Sequence, residues 1–229
     1  MIKTNIHVRI GNFVVGNEVD FAIAGFFCMF AKHAMKHVII EGVTGSGKTS
    51  ILKRLQLLLG DRALPIDESY TLGLIMEQVK DDDWISDPQF DALDSVLARM
   101  EQHQREHRPE ILLVERFHLT PYALFPYWKY YDKYDKELAA MPTALILLTF
   151  PDELVEERSI DRVDEPEYAD TMIEYYGSRS SAIEAVNLSQ HRRIDALKKT
   201  RLPFLQIDTQ KQDWDGYGDA ILEYINKSS

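Results

Sequence analysis

A three-layer α/β/α fold on a five-stranded parallel sheet is predicted by two features of the 229-residue sequence. From residue 36 onward, five short continuous apolar runs alternate with longer stretches of helical periodicity. Runs without polar alternation suit strands buried on both faces, and strands separated by helices imply βαβ units with right-handed crossovers. The second feature is Gly42 to Thr49, a Gly-x-x-x-x-Gly-Lys-Thr pattern between the first run and the first helix. Such a loop presents backbone N–H groups to phosphate at a helix N-terminus.

The elements follow in order. Val38-Ile39-Ile40 is the first strand, and Thr49 to Leu59 reads as a helix closed by Gly60. Ala63 to Ile66 is the second strand. Ser86 to Gln104 is the clearest helix: Ser86 and Gln89 form a capping-box pair, Pro88 suits the first turn, and Phe90, Leu93, Val96, Leu97 and Met100 share a face. Ile111 to Val114 is the third strand. Tyr122 to Tyr134 reads as an aromatic-dense helix, its rings expected mostly in the core or on a partner surface. Ala144 to Leu148 is the fourth strand, and Asp152 to Asp161 reads as helical. Tyr168 to Lys199 is helical with Gly177 as a candidate break. Phe204 to Ile207 is the fifth strand, before a helix over Trp214 to Lys227. His103 and His107 stand at metal-binding helical spacing, but no third ligand accompanies them and they read as a solvated helix end. Asp81-Asp82-Asp83 reads as an exposed turn.

Composition narrows the function. A formal charge of −11 argues against nonspecific nucleic-acid binding, which needs clustered cations. A local cationic pocket for a small anion remains compatible with it. Hydrophobic content of 45% is enough for a core. The single cysteine, Cys28, rules out an internal disulfide and fits a reducing cytosol, so the expected location is cytoplasmic. The apolar run 21–31 is shorter than the ~20 residues of a membrane span, so no membrane partner is expected. Residues 1–34 differ in character from the rest. They read as an N-terminal extension of uncertain status: an upstream stretch before a start at Met35, a packed arm, or a targeting segment. The functional domain is expected over 35–229.

In the glycine-rich loop, Gly42, Thr44, Gly45, Ser46 and Gly47 supply backbone for a phosphate chain, with Ser50 just beyond. Lys48 adds a point charge to the β and γ phosphates, and the Thr49 hydroxyl is placed for Mg²⁺. The loop alone does not separate kinases from GTPases or motor ATPases. No guanine-specifying Asn-Lys-x-Asp and no Leu-Ser-Gly-Gly-Gln occur. After the third strand comes Glu115-Arg116-Phe117-His118-Leu119-Thr120-Pro121-Tyr122-Ala123. A carboxylate at a strand tip beside a phosphate loop can hold Mg²⁺ or take a proton, and an adjacent arginine can clamp an anionic acceptor.

This segment resembles the Asp-Arg-Tyr-x-x-Ser-x-x-Ala-Tyr signature of thymidylate kinases and the Glu-Arg-Ser signature of deoxynucleoside kinases. Leu97-Ala98-Arg99-Met100-Glu101-Gln102 resembles the thymidylate kinase helix whose arginine contacts the acceptor nucleotide. Arg158 and Arg162, in Glu157-Arg158-Ser159-Ile160-Asp161-Arg162, resemble the lid arginines of nucleoside and nucleotide kinases, which implies a lid around 155–180. The similarity spans roughly 36–228. It departs at Thr44, where thymidylate kinases carry an acidic residue, at Ser95, where they carry a stacking phenylalanine, and at Asp67-Glu68-Ser69, where they carry Arg-Glu-Pro. The last feature is closer to deoxynucleoside kinases, whose glutamate after the second strand is the general base.

The resemblance implies a P-loop small-molecule kinase using ATP and Mg²⁺, with a nucleoside or nucleoside monophosphate as the first expectation for the acceptor. Lys48, Thr49 and the loop amides would hold the nucleotide, with Thr49 and Glu115 at the metal. Arg158 and Arg162 would close over the transferring group. Arg116 and Arg99 would hold the acceptor, and Glu68 or Glu115 would orient or deprotonate it. One aromatic ring of 122–134 at the acceptor pocket and a homodimer through the long helices complete the expectation. The competing readings are an ATPase or regulatory nucleotide-binding protein without a small acceptor, and a kinase of a non-nucleotide small molecule.

Overall fold

The computed structural model describes residues 6–10, 13–15, 36–70, 87–106, 110–162, 165 and 167–227. The apolar run 21–31 with Cys28, Met35, Asp81-Asp82-Asp83, Ser86, His107 and Asp164 lie outside them.

Strand β3 (His37–Glu41) lies at the centre of the parallel sheet. It pairs in parallel with β5 (Ile111–Glu115) on one side and β6 (Thr143–Thr149) on the other. Outside these, β4 (Ala63–Ile66) pairs with β5 and β7 (Phe204–Asp208) with β6, also in parallel. The five predicted strands are therefore present, and all five are parallel. Two further strands, β1 (Ile6–Ile10) and β2 (Phe13–Val15), extend the sheet beyond β7 in antiparallel register, with Ile6 opposite Ile207. The full order is β2-β1-β7-β6-β3-β5-β4. Ile6-His7-Val8-Arg9-Ile10 alternates apolar and polar residues, a strand signal that a search for continuous apolar runs passes over.

The uninterrupted apolar runs are explained by the two layers that flank the sheet. Val38, Ile40, Leu113, Ile146 and Leu148 pack against α1 (Lys48–Leu59) and α7 (Trp214–Lys227). The alternate residues Ile39, Leu112, Val114, Leu145 and Leu147 pack against α2 (Asp87–Glu106), α3 (Leu119–Leu124) and α4 (Trp128–Ala139). A smaller cluster of Val43, Phe150, Val155, Ile160, Ala182 and Val186 joins the loop end of the sheet to α5 (Tyr168–Tyr176) and α6 (Arg179–Ala196). Among the described residues, no helix is long and apolar enough to cross a membrane.

Three local expectations are corrected. The helix expected over 122–134 is two helices, α3 and α4. Pro126 disfavours helical geometry at Phe125, which sits at φ −125°, ψ 89°. The helix expected over 152–161 is a 3₁₀ turn (Asp152–Leu154) followed by a π-helical turn (Glu156–Ile160). His103 is not solvated: it is 4% exposed and its ring lies 5.4 Å from that of the buried His37. The candidate break at Gly177 is where α5 ends, with Gly177 in the left-handed region at φ 81°.

Candidate active site

The glycine-rich loop leaves β3 and enters α1 with Gly47 as N-cap at φ 87°. Gly45 and Gly47 are among the positions where only glycine fits. A Cβ at Gly45 (φ 77°) would overlap the backbone of Arg158, and one at Gly47 would overlap the indole of Trp214. The loop is thus packed from outside. Arg158 Nη2 donates to the Gly45 carbonyl at 2.8 Å and Nη1 to the Thr209 carbonyl at 3.0 Å, while its guanidinium lies 4.4 Å above the Phe150 ring. Ser159 Oγ donates to the Thr44 carbonyl at 2.6 Å. Within the loop, Ser46 N–H donates to the Val43 carbonyl at 3.2 Å. The Ser46 hydroxyl is buried and has no hydrogen-bond partner. An unsatisfied donor in a glycine-rich turn at a helix N-terminus fits a phosphate chain.

A charged group converges at the C-terminal ends of β3, β4 and β5. Glu115 closes β5, and Arg116, immediately after it, holds a left-handed backbone at φ 62°, uncommon for a non-glycine residue. A hydrogen bond from Arg116 N–H to the Ile40 carbonyl (2.9 Å) fixes that turn. Thr49 Oγ1 donates to Glu115 Oε1 at 3.1 Å. Glu68 sits just past β4, in a turn where the Asp67 carboxylate accepts from Ser69 N–H at 3.0 Å. Its Oε2 lies 2.8 Å from Arg116 Nε and 4.0 Å from Lys48 Nζ. The Arg116 contact is ionic rather than an aligned hydrogen bond. Lys48 also donates to the Val43 carbonyl at 3.1 Å.

Burial and mutual charge set the protonation of this group. Burial and the like charge of Arg116 bring Lys48 down to about 7. Burial would raise Glu68, but Arg116 and Lys48 outweigh it and hold the carboxyl below its ordinary value. Glu115 moves the other way, raised by burial against the pull of Lys48. The two neighbouring carboxylates thus differ in proton affinity, Glu68 below and Glu115 above the ordinary value.

Beside this cluster opens a cavity of about 610 Å³, walled by the loop at Val43 and Thr44, by α3, and by α5 and α6. Glu68, Arg116 and Arg193 reach it at one side. Arg193 is buried and faces Glu41, the last residue of β3, at 3.7 Å. Glu41 is fully buried and accepts from Phe117 N–H (2.8 Å), Leu119 N–H (3.1 Å) and Thr120 Oγ1 (2.7 Å). It therefore anchors the segment that carries Arg116.

Of the residues singled out from sequence, Lys48, Thr49, Glu68, Glu115 and Arg116 come together with the loop Gly42–Gly47. Ser50, in the first turn of α1, is partly buried. Arg99 does not join them: it lies on the exposed side of α2, opposite the buried row Val96, Leu97 and Met100. Neither Arg158 nor Arg162 lines the cavity. Arg158 is engaged behind the loop, and Arg162 pairs with Glu165 (3.1 Å) with its guanidinium 5.4 Å from the Tyr168 ring. Of the aromatic rings of 122–134, Phe125 lines the cavity. Glu41, Arg192, Arg193 and Tyr168 carry no motif. The one available signal was Glu41, a charge ending an apolar strand directly before the loop.

Thr49 Oγ1 and Glu115 Oε1, 3.1 Å apart, are the two oxygens that could hold a divalent cation. Among the described residues, no cluster of three or more His, Cys, Asp or Glu could hold a metal. A cation here would complete its sphere with phosphate and water, which is how Mg²⁺ is ordinarily bound beside nucleotides.

No protein-family profile matches the chain, and no curated protein matches it in sequence. Solved structures do match. The YorR protein of Bacillus subtilis, crystallised with phosphorylated GDP, superposes with a TM-score of 0.55 at 10% identity, over 83% of this chain and 96% of that one. An unliganded sugar kinase from Janibacter sp. HTCC2649 superposes with a TM-score of 0.52 at 17% identity, over 84% and 95%. At such identities the likeness shows the fold alone, and that fold is the one found in P-loop kinases.

Proposed function

We propose that this chain, over residues 35–229, is an ATP-dependent phosphotransferase that moves the γ-phosphoryl group to a hydroxyl of a small acceptor of about nucleoside size. The observation that carries the reading is the Glu68 carboxylate, 2.8 Å from Arg116 and 4.0 Å from Lys48, where the phosphate loop meets a cavity of about 610 Å³. Cavities of ~300–1,000 Å³ suit small organic ligands. Phosphoryl transfer asks the protein for alignment and charge neutralisation more than covalent chemistry.

The loop amides, Ser46 and Lys48 hold the phosphates of ATP, and Thr49 and Glu115 hold Mg²⁺, which when bound neutralises charge on the phosphates. Arg116 lies between Glu68 and the Gly42 carbonyl, so it faces nucleotide and acceptor at once. Glu68, kept ionised by its two cations, accepts the proton of the attacking hydroxyl. The same carboxylate would repel an acceptor that arrived as a phosphate, so a hydroxyl fits better than a nucleoside monophosphate. Arg162, whose guanidinium lies against the cavity-lining Tyr168, would close over the transferring group. Arg158 acts from behind the loop by holding its shape.

The test is ADP release measured across nucleosides, nucleoside monophosphates and other small alcohols. Acceptor-dependent release is expected, abolished in Lys48→Ala and reduced ~10²–10⁴-fold in kcat by Glu68→Gln with the KM for ATP retained. ADP release indifferent to every acceptor would overturn the reading in favour of a nucleotide hydrolase.

A further inference from the structure

The charges of the cavity are not evenly matched. Arg116 has Glu68 at 2.8 Å, and Arg193 has Glu41 at 3.7 Å. Arg192, beside Arg193 on α6 and also lining the cavity, pairs with no carboxylate among the described residues. Its Nη1 donates to the Ala123 carbonyl at 2.8 Å and the Leu124 carbonyl at 3.3 Å, the last turn of α3. That anchors the guanidinium and fixes its plane. Among the described residues its Nε and Nη2 make no hydrogen bond, and these two N–H groups form one edge of the fork that a carboxylate meets with two parallel bonds.

The remainder of the wall is of a different kind. Leu124, Phe125, Met172, Tyr175, Tyr176 and Leu188 give it a largely apolar and aromatic lining. Tyr175 and Tyr176 meet edge to face at 4.8 Å. Such a surface suits a planar or apolar body. The lining thus combines three features: a carboxylate that would accept a hydroxyl proton in the proposed reaction, an apolar wall, and a cation with one edge unengaged.

We infer that the acceptor is a hydroxy acid: a small molecule with a planar or apolar body, a hydroxyl presented to Glu68, and a carboxylate received by Arg192. Arg192 is then the specificity-determining residue of the cavity. A neutral acceptor would leave that edge of Arg192 to water, and a carboxylate replaces the water with two charge-assisted bonds in a partly closed site.

The identity of the acceptor rests on the phosphotransferase reading, but the carboxylate preference can be read from binding alone. The probes are a panel of aromatic hydroxy acids, each beside its neutral amide, titrated into the full chain by calorimetry with and without ADP. The best acids are expected to bind at least tenfold tighter than their amides. Arg192→Lys keeps the charge and should keep part of that ratio. Arg192→Gln keeps a donor for the α3 carbonyls without the charge, and should bring the ratio to within twofold while its melting temperature stays near that of Arg192→Lys. Equal binding of acids and amides, no binding of either, or an acid preference that survives Arg192→Gln overturns the inference. An acid preference that depends on Arg192, found together with acceptor-independent ADP release, would retain this site and discard the kinase reading.

Discussion

Replacing Glu41 by alanine removes the carboxylate 3.7 Å from the buried Arg193 and three hydrogen bonds that hold the segment 117–120. Breaking a buried ion pair by removing one partner costs about 3–5 kcal/mol, because the remaining charge is left uncompensated. For a domain of this size ~1 kcal/mol moves the melting temperature by ~2–4 °C, so a loss of roughly 6–20 °C is expected. Glu41→Gln keeps the volume and one acceptor oxygen, and should lose about half as much. Because Arg193 carries the residual cost, adding Arg193→Met to Glu41→Gln should recover part of the loss, so the two changes are non-additive. Thermal unfolding followed by circular dichroism reads all three variants. A Glu41→Ala protein melting within ~2 °C of the parent would refute the assignment of Glu41 as the anchor of the Arg116 segment.

Two other perturbations follow from the same geometry. Arg158→Ala should weaken ADP binding about tenfold or more by freeing the Gly45 carbonyl, read by calorimetric titration; unchanged affinity would mean the loop keeps its shape unaided. His37, fully buried against His103, is brought down to about 4 by burial and by its neighbour, below its ordinary 6.5. The folded protein then resists a proton that the unfolded chain accepts. Stability from this group is complete above pH ~6.5 and is lost as pH falls toward ~4, by about 2 kcal/mol between pH 7 and 5. Denaturant titrations at both pH values check it, and His37→Gln should flatten that part of the difference.

The parallel sheet was legible because each strand carries apolar residues for two layers: Val38 and Ile40 face one, Ile39 the other. The loop was legible because close approach to Arg158 and Trp214 demands glycine at fixed positions. Glu68 was singled out only through the resemblance to deoxynucleoside kinases, and its contact with Arg116 was not foreseen. What escaped is long-range. Glu41 meets Phe117 across 76 positions and Arg158 meets Gly45 across 113, and no periodicity encodes such contacts. Arg158 was expected over the transferring phosphate, but residue type alone cannot say which side of a loop a guanidinium will take. His103 was within reach of the sequence, since it continues the row Leu93, Val96 and Met100 that α2 turns inward. Arg99 falls off that row.

The short π-helical turn Glu156–Ile160 grips the phosphate loop with Arg158 and Ser159, and the chain then runs on into α5, whose Tyr168 and Met172 border the cavity. In the proposed reaction these neighbouring elements would serve both nucleotide and acceptor. Filling either site would then stiffen the elements that shape the other, so the two occupancies should be thermodynamically linked, each molecule raising the affinity for its companion by the same factor.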